Sequence, residues 1–150
     1  MTTARILVVE DFEPLRCFVT SMLAKTQGFA VIAEASDGFE AVQKAQELKP
    51  DVIVLDIGLP NLNGIEVARL SRKSTPTSKI VFLSQDNSPL TVQAALGVGA
   101  CGFVAKLDAG SELVPALMAV LAGNQFLSTR IKACAPTSGL HEASWHFIGE

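Results

Sequence analysis

The chain has 150 residues, a usual size for one domain, and 49% of them are hydrophobic, enough for a substantial core and against disorder of the whole chain. A net charge of −3 argues against a nucleic-acid surface built by overall basicity. No apolar run approaches the ~18 residues of a membrane span, and MTTARILVVED lacks the basic segment, apolar core and cleavage site of a signal peptide.

Cys17, Cys101 and Cys134 are odd in number and form no CxxC, the usage of a reduced cytoplasmic protein. Arg5 to Val9 (RILVV) reads as a buried strand ending in Glu10 and Asp11. Asp11 or Glu13 is placed to cap the first helix, with Pro14 tolerated in its first turn. Leu15, Phe18, Val19, Met22 and Leu23 then form one apolar helix face, closed by Gly28. Ala30 to Ala35 is a weaker strand. Asp37 is a candidate cap for a second helix carrying Phe39, Val42, Ala45 and Leu48 up to Pro50.

DVIVLDIGLPNLNG, residues 51–64, is the centre of the pattern. Val52 to Leu55 is a short β-branched run that reads as a strand buried on both faces, and it runs into one acid, Asp56. Gly64 opens a third helix with Ile65, Val67, Ala68 and Leu70, and STPTS follows as a polar loop. Lys79 to Leu83 is the fourth strand, ending in Ser84, and Ser88 before Pro89 is a helix start. Gly102 to Ala105 is a fifth strand ending in Lys106. Asp108 or Ser111 caps a last helix that includes Pro115 and closes at Gly123. Residues 124–150 show no periodicity, and Trp145, Phe147 and Ile148 are apolar groups that would pack back on the domain or against another subunit.

Strands alternating with helices imply right-handed βαβ units and a parallel sheet. In such a sheet all strand C-termini share one edge, where ligands bind. Glu10, Asp11, Asp56, Ser84 and Lys106 therefore converge. Carboxylates about 4 Å apart repel by about 4 kcal/mol per pair at an effective dielectric of 20, so the cluster calls for a cation. Oxygen ligands of this kind suit Mg²⁺. An acid, a metal, a lysine and a hydroxyl describe phosphoryl transfer to a carboxylate nucleophile.

The segments VVED at 8–11, VLDIGLPNLNG at 54–64, FLS at 82–84 and GFVAK at 102–106 resemble the receiver (CheY-like) domain of two-component response regulators, over about residues 4–123. GLPNLNGIEVARL and ALGVGACGFVAK are most similar to the subgroup whose receivers usually carry a LuxR/NarL-type helix-turn-helix output domain. The resemblance implies an α/β, flavodoxin-like (βα)5 doubly wound parallel sheet of strand order 2-1-3-4-5. It implies that Asp56 accepts a phosphoryl group from a histidine kinase or phosphotransfer protein, without the chain being an enzyme beyond assisting its own phosphorylation and dephosphorylation. Mg²⁺ would be held by Asp11, Asp56 and the carbonyl of Gly58, with Glu10 acting through water. Ser84 and Lys106 would meet the phosphoryl oxygens, and Phe103 fits the switch aromatic. The added charge of about −1.5 to −2 would bias the face formed by the fourth helix, fifth strand and fifth helix, where a downstream protein docks. A homodimer stays open.

Leu107 stands where the family usually has a proline after the lysine. Gln85 replaces a usually small residue and is expected to gate access to Asp56. The chain divides into a receiver domain, 1–123, and a C-terminal tail, 124–150, too short for a helix-turn-helix module, so no nucleic-acid contact is expected from this chain alone. A phosphatase of the haloacid dehalogenase type needs an acid two residues after its nucleophile, and Gly58 is there instead. A phosphorylation-independent scaffold and the receiver half of a longer DNA-binding regulator stay open.

Overall fold

Side-chain alternation along five short strands decides the architecture. The computed structural model describes residues 3–129 and 146–147. It places β1 at Ala4–Val9, α1 at Glu13–Ala24, β2 at Phe29–Ala35, α2 at Gly38–Leu48, β3 at Val52–Asp56 and α3 at Gly64–Ser74. β4 at Lys79–Ser84, α4 at Pro89–Gly97, β5 at Gly102–Ala105 and α5 at Ala109–Leu121 follow, with a 3-10 turn at Lys106–Asp108. Successive strand residues point to opposite faces. Leu7, Val9, Ile53, Leu55, Phe82 and Phe103 accordingly bury against Ala41 of α2, Val67 of α3 and Val92 of α4. Ile6, Val8, Val54, Leu83 and Val104 bury on the other side, against Val19 and Leu23 of α1 and Leu113 and Leu117 of α5. Each fully buried Val, Leu, Ile or Phe contributes about 1.5–3 kcal/mol. Those two layers hold the parallel sheet from both faces, in the order β2-β1-β3-β4-β5.

Three helix starts carry side-chain caps, at Asp37 and Ser88 as expected and at Asn63, which the residue pattern did not single out. Asp37 accepts from Glu40 N at 2.9 Å, Asn63 from Glu66 N at 3.0 Å and Ser88 from Thr91 N at 3.4 Å. α1 differs. Its N-cap is Phe12, without a side-chain cap, so neither Asp11 nor Glu13 does the capping. The Phe12 N–H donates instead to Glu10 Oε2 at 3.1 Å. α1 also ends at Ala24, four residues before the left-handed Gly28, which turns the chain into β2. Pro115 lies past the first turn of α5, which continues through it with one hydrogen bond lost.

The sheet does not stop at β5. Phe126–Leu127 forms β6, parallel to Gly102 and Phe103, and His146–Phe147 forms β7 beside it. Phe126, Leu127 and Ser128 are buried, and the Ser128 hydroxyl accepts from Ala105 N at 3.3 Å. The packed unit thus runs past Gly123, and β5 is an interior strand. Two-residue strands are too short to carry a period, which is why the tail reads as featureless. Cys134, Trp145 and Ile148 lie outside the described residues. Among the described residues no helix is long and apolar enough to cross a membrane.

Candidate functional site

β1 and β3 are paired with Val9 opposite Leu55, so the residues that follow, Glu10 and Asp56, leave the sheet side by side. Ser84 pairs with Ala105, one residue before Lys106. Glu10 and Asp56 are buried, while Asp11 and Gly58 are exposed at the mouth. One carboxylate oxygen from each of Glu10, Asp11 and Asp56 lies within 4.8 Å of the others. Lys106 reaches between the two buried acids, with Nζ 3.1 Å from Glu10 Oε1 and 3.2 Å from Asp56 Oδ1. Gly58 N donates to the same Asp56 oxygen at 3.0 Å. Asp56 Oδ2 is buried with no hydrogen-bond partner among the described residues. A cleft of about 540 Å³ opens over it, lined by Asp11, Phe12, Ser84, Gln85 and Lys106 among others.

The loop after Asp56 is held tightly. Asn61 takes a left-handed conformation (φ 70°), and Gly64 N closes the loop on the Ile57 carbonyl at 2.8 Å. A Cβ on Gly64 would sit 2.2 Å from the Asp56 carbonyl oxygen. That contact was invisible in the residue pattern, which marks Gly64 only as a helix start.

Other expected residues occupy different settings. The Ser84 hydroxyl lines the cleft but bonds within its own loop, donating to the Asp86 carbonyl at 2.9 Å and accepting from Asp86 N at 3.0 Å. Phe103 is fully buried, tilted 52° against Phe82 with centroids 6.2 Å apart. Gln85 is exposed at the rim. The bond between Lys106 and Leu107 is trans, and Leu107 is 83% exposed within the 3-10 turn. Phe12, which sequence reasoning passed over, is an exposed aromatic on the cleft wall; its only signal was an apolar side chain directly after two acids.

Burial is the main force on the acids. It raises the Glu10 carboxyl to about 7, helped by the Asp56 charge and opposed by the Phe12 N–H and Lys106. Burial also raises Asp56, against the attraction of Lys106. Lys106 feels the reverse balance, since burial depresses it but the two carboxylates together hold it above its usual range. An acid raised on folding binds more protons folded than unfolded. Its contribution to stability is therefore lost as pH rises from about 4.5 to about 7. In metal-free buffer the wild type should lose stability across this window, and Glu10→Gln should flatten the loss. Urea unfolding midpoints at pH 5 and pH 7.5 measure it.

A comparison with known proteins matches the response regulator receiver domain over residues 6–118. The chain is 35% identical over 127 residues to the response regulator GacA of Pseudomonas viridiflava, covering 85% of this chain and 59% of that protein. It therefore spans about three fifths of the length of such relatives. The two-component response regulator of the LuxR family from Aurantimonas sp. SI85-9A1 superposes with a TM-score of 0.84 at 34% identity, over 89% of this chain and 95% of that one. The response regulator domain of Thermotoga maritima CheB gives 0.72 at 33% identity, over 81% and 95%. The family match runs from β1 into α5 and so encloses every strand end that builds the pocket: this chain belongs to the response regulator receiver domain family of two-component signalling.

Proposed function

We propose that Asp56 receives a phosphoryl group from a histidine kinase or phosphotransfer protein and that the new charge shifts the surface built by α4, β5 and α5, where a downstream protein docks. The observation that carries this reading is the asymmetry of the Asp56 carboxylate. Its Oδ1 is held twice, by Gly58 N and Lys106, while Oδ2 lies under the cleft with no partner among the described residues. Such an oxygen is oriented and left free to attack. A P–O bond forms to it as the P–N bond of a phosphohistidine breaks, and the departing imidazole takes a proton.

Three carboxylates with one ammonium leave excess negative charge where an anionic donor must enter. Hard oxygens in this number fit Mg²⁺. Asp11, Asp56 and the Gly58 carbonyl are the groups that would hold it, with Glu10 acting through water. The ion would supply positive charge against the phosphoryl oxygens. Lys106 pairs with the same anion from the β5 side, and Ser84 offers its hydroxyl proton. Phe103 packs beneath, where a shift of the β4 end is felt. Gln85, at the rim, narrows the approach to Asp56. In this reading the chain is a phosphoacceptor module of the cytoplasm.

Incubation with acetyl phosphate and Mg²⁺, followed by intact-mass measurement, tests the proposal. The expected result is one labile phosphoryl group per chain, absent in Asp56→Asn. No gain over a long time course, with donor and metal in excess, would leave a phosphorylation-independent scaffold as the better reading.

A further inference from the structure

The loop between β4 and α4 holds more polar bonding than a helix start requires. Ser88 already caps α4. Yet Asp86, two residues earlier, commits both carboxylate oxygens to the same turn. Its Oδ1 accepts from Ser88 N at 2.9 Å and its Oδ2 from the Thr91 hydroxyl at 2.6 Å, a charge-assisted length. The Ser88 hydroxyl donates in turn to Thr91 Oγ1 at 3.1 Å. The hydrogen bond from Thr91, then those from Ser88, hold the Asp86 carboxyl below its usual range, so it stays ionised. The backbone of Asp86, pinned in this way, takes up both the proton and a lone pair of the Ser84 hydroxyl.

We propose that Asp86 is a positioning residue for the phosphoryl response: anchored to Thr91 on α4, it latches the Ser84 hydroxyl away from Asp56. The inference rests on the proposed phosphorylation of Asp56. Ser84 has one hydroxyl proton. That proton bonds either the Asp86 carbonyl or an anionic oxygen carried on Asp56, and the two acceptors compete. Every bond that fixes Asp86 therefore favours the unphosphorylated arrangement. The same bonds tie Ser84 to the first turn of α4, so release of the hydroxyl frees the start of that helix. The latch sets both the threshold of the response and the route by which α4 senses it.

Beryllofluoride with Mg²⁺, a stable mimic of the phosphoryl group, is titrated into the protein by calorimetry. Thr91→Val removes the hydroxyl that bonds Asp86 and accepts from Ser88, and should tighten binding by at least about fivefold, the factor expected of a single net hydrogen bond. Thr91→Ser, which restores the hydroxyl, should bind as the wild type does. In a Ser84→Ala background, Thr91→Val should have no effect, because there is no hydroxyl left to release. An unchanged affinity in Thr91→Val, or the same gain with Ser84 absent, overturns the latch, since a merely looser α4 would act without Ser84. Wild-type binding no different from that of Asp56→Asn would instead overturn the phosphorylation reading, and the latch with it.

Discussion

Lys106→Met should lower stability by about 2 kcal/mol at pH 8 in metal-free buffer, because it leaves two buried carboxylates facing each other. Breaking a buried ion pair by removing one partner costs about 3–5 kcal/mol, and the partial exposure of this ammonium reduces the figure. The residue bridges Glu10 and Asp56 at 3.1 and 3.2 Å with only 18% of its side chain exposed. Methionine keeps the stem and removes the charge, so packing is nearly held constant. Two controls separate charge from shape. At pH 5 the difference should shrink, because Glu10, already raised by burial, takes up a proton and relieves the repulsion. Millimolar Mg²⁺ should also restore most of the loss at pH 8 if the acids take the ion as proposed. Thermal unfolding of wild type and variant under the three conditions measures this. Equal stability at pH 8 without metal would mean that the ion pairs contribute nothing, and that the acids already share protons with water.

Much of this pocket was legible before any coordinates, for one physical reason. A strand buried on both faces must be apolar throughout, so a polar residue at its end marks the sheet edge. In a parallel sheet those edges coincide. Glu10, Asp56, Ser84 and Lys106 all follow that rule, and the sheet brings them to one edge. What the pattern did not carry is whatever depends on tertiary closure. The direction of the Ser84 hydroxyl is set by bonds to Asp86, and residue spacing says nothing about it. The start of α1 passes to Phe12 because the Phe12 N–H finds Glu10 Oε2 instead of a cap from its own turn. β6 buries Phe126 and Leu127 against β5 through two residues, too few for any period to register. Its consequence is topological: the fifth strand, expected at the edge, is flanked on both sides.

Gly64→Ala should be strongly damaging for so small a substitution, although alanine is normally the better helix former by about 1 kcal/mol. Gly64 opens α3, and at that point the helix rests on the peptide that carries Asp56. An added Cβ would stand 2.2 Å from the Asp56 carbonyl oxygen, 2.7 Å from Ile57 Cα and 2.9 Å from the Asp56 carbonyl carbon. All three are backbone atoms, so no side-chain rotamer relieves the overlap. Either α3 lifts, breaking the 2.8 Å bond from Gly64 N to the Ile57 carbonyl, or the end of β3 is pushed into the pocket. Overpacking of this kind costs about 1–3 kcal/mol, and the buried setting puts this case at the upper end. Displacing Asp56 by about 1 Å also disturbs the proposed phosphoacceptor, held by Gly58 N and Lys106, a misplacement that costs on the order of a hundredfold in rate. The variant should therefore unfold at lower urea and, while still folded, label slowly with acetyl phosphate. Gly97→Ala is the matched control. It lies in α4, and its Cβ would meet nothing within 4 Å, so stability and labelling should both be kept. If Gly64→Ala labels as fast as Gly97→Ala, the close approach of α3 to the Asp56 peptide is not what holds the carboxylate in position.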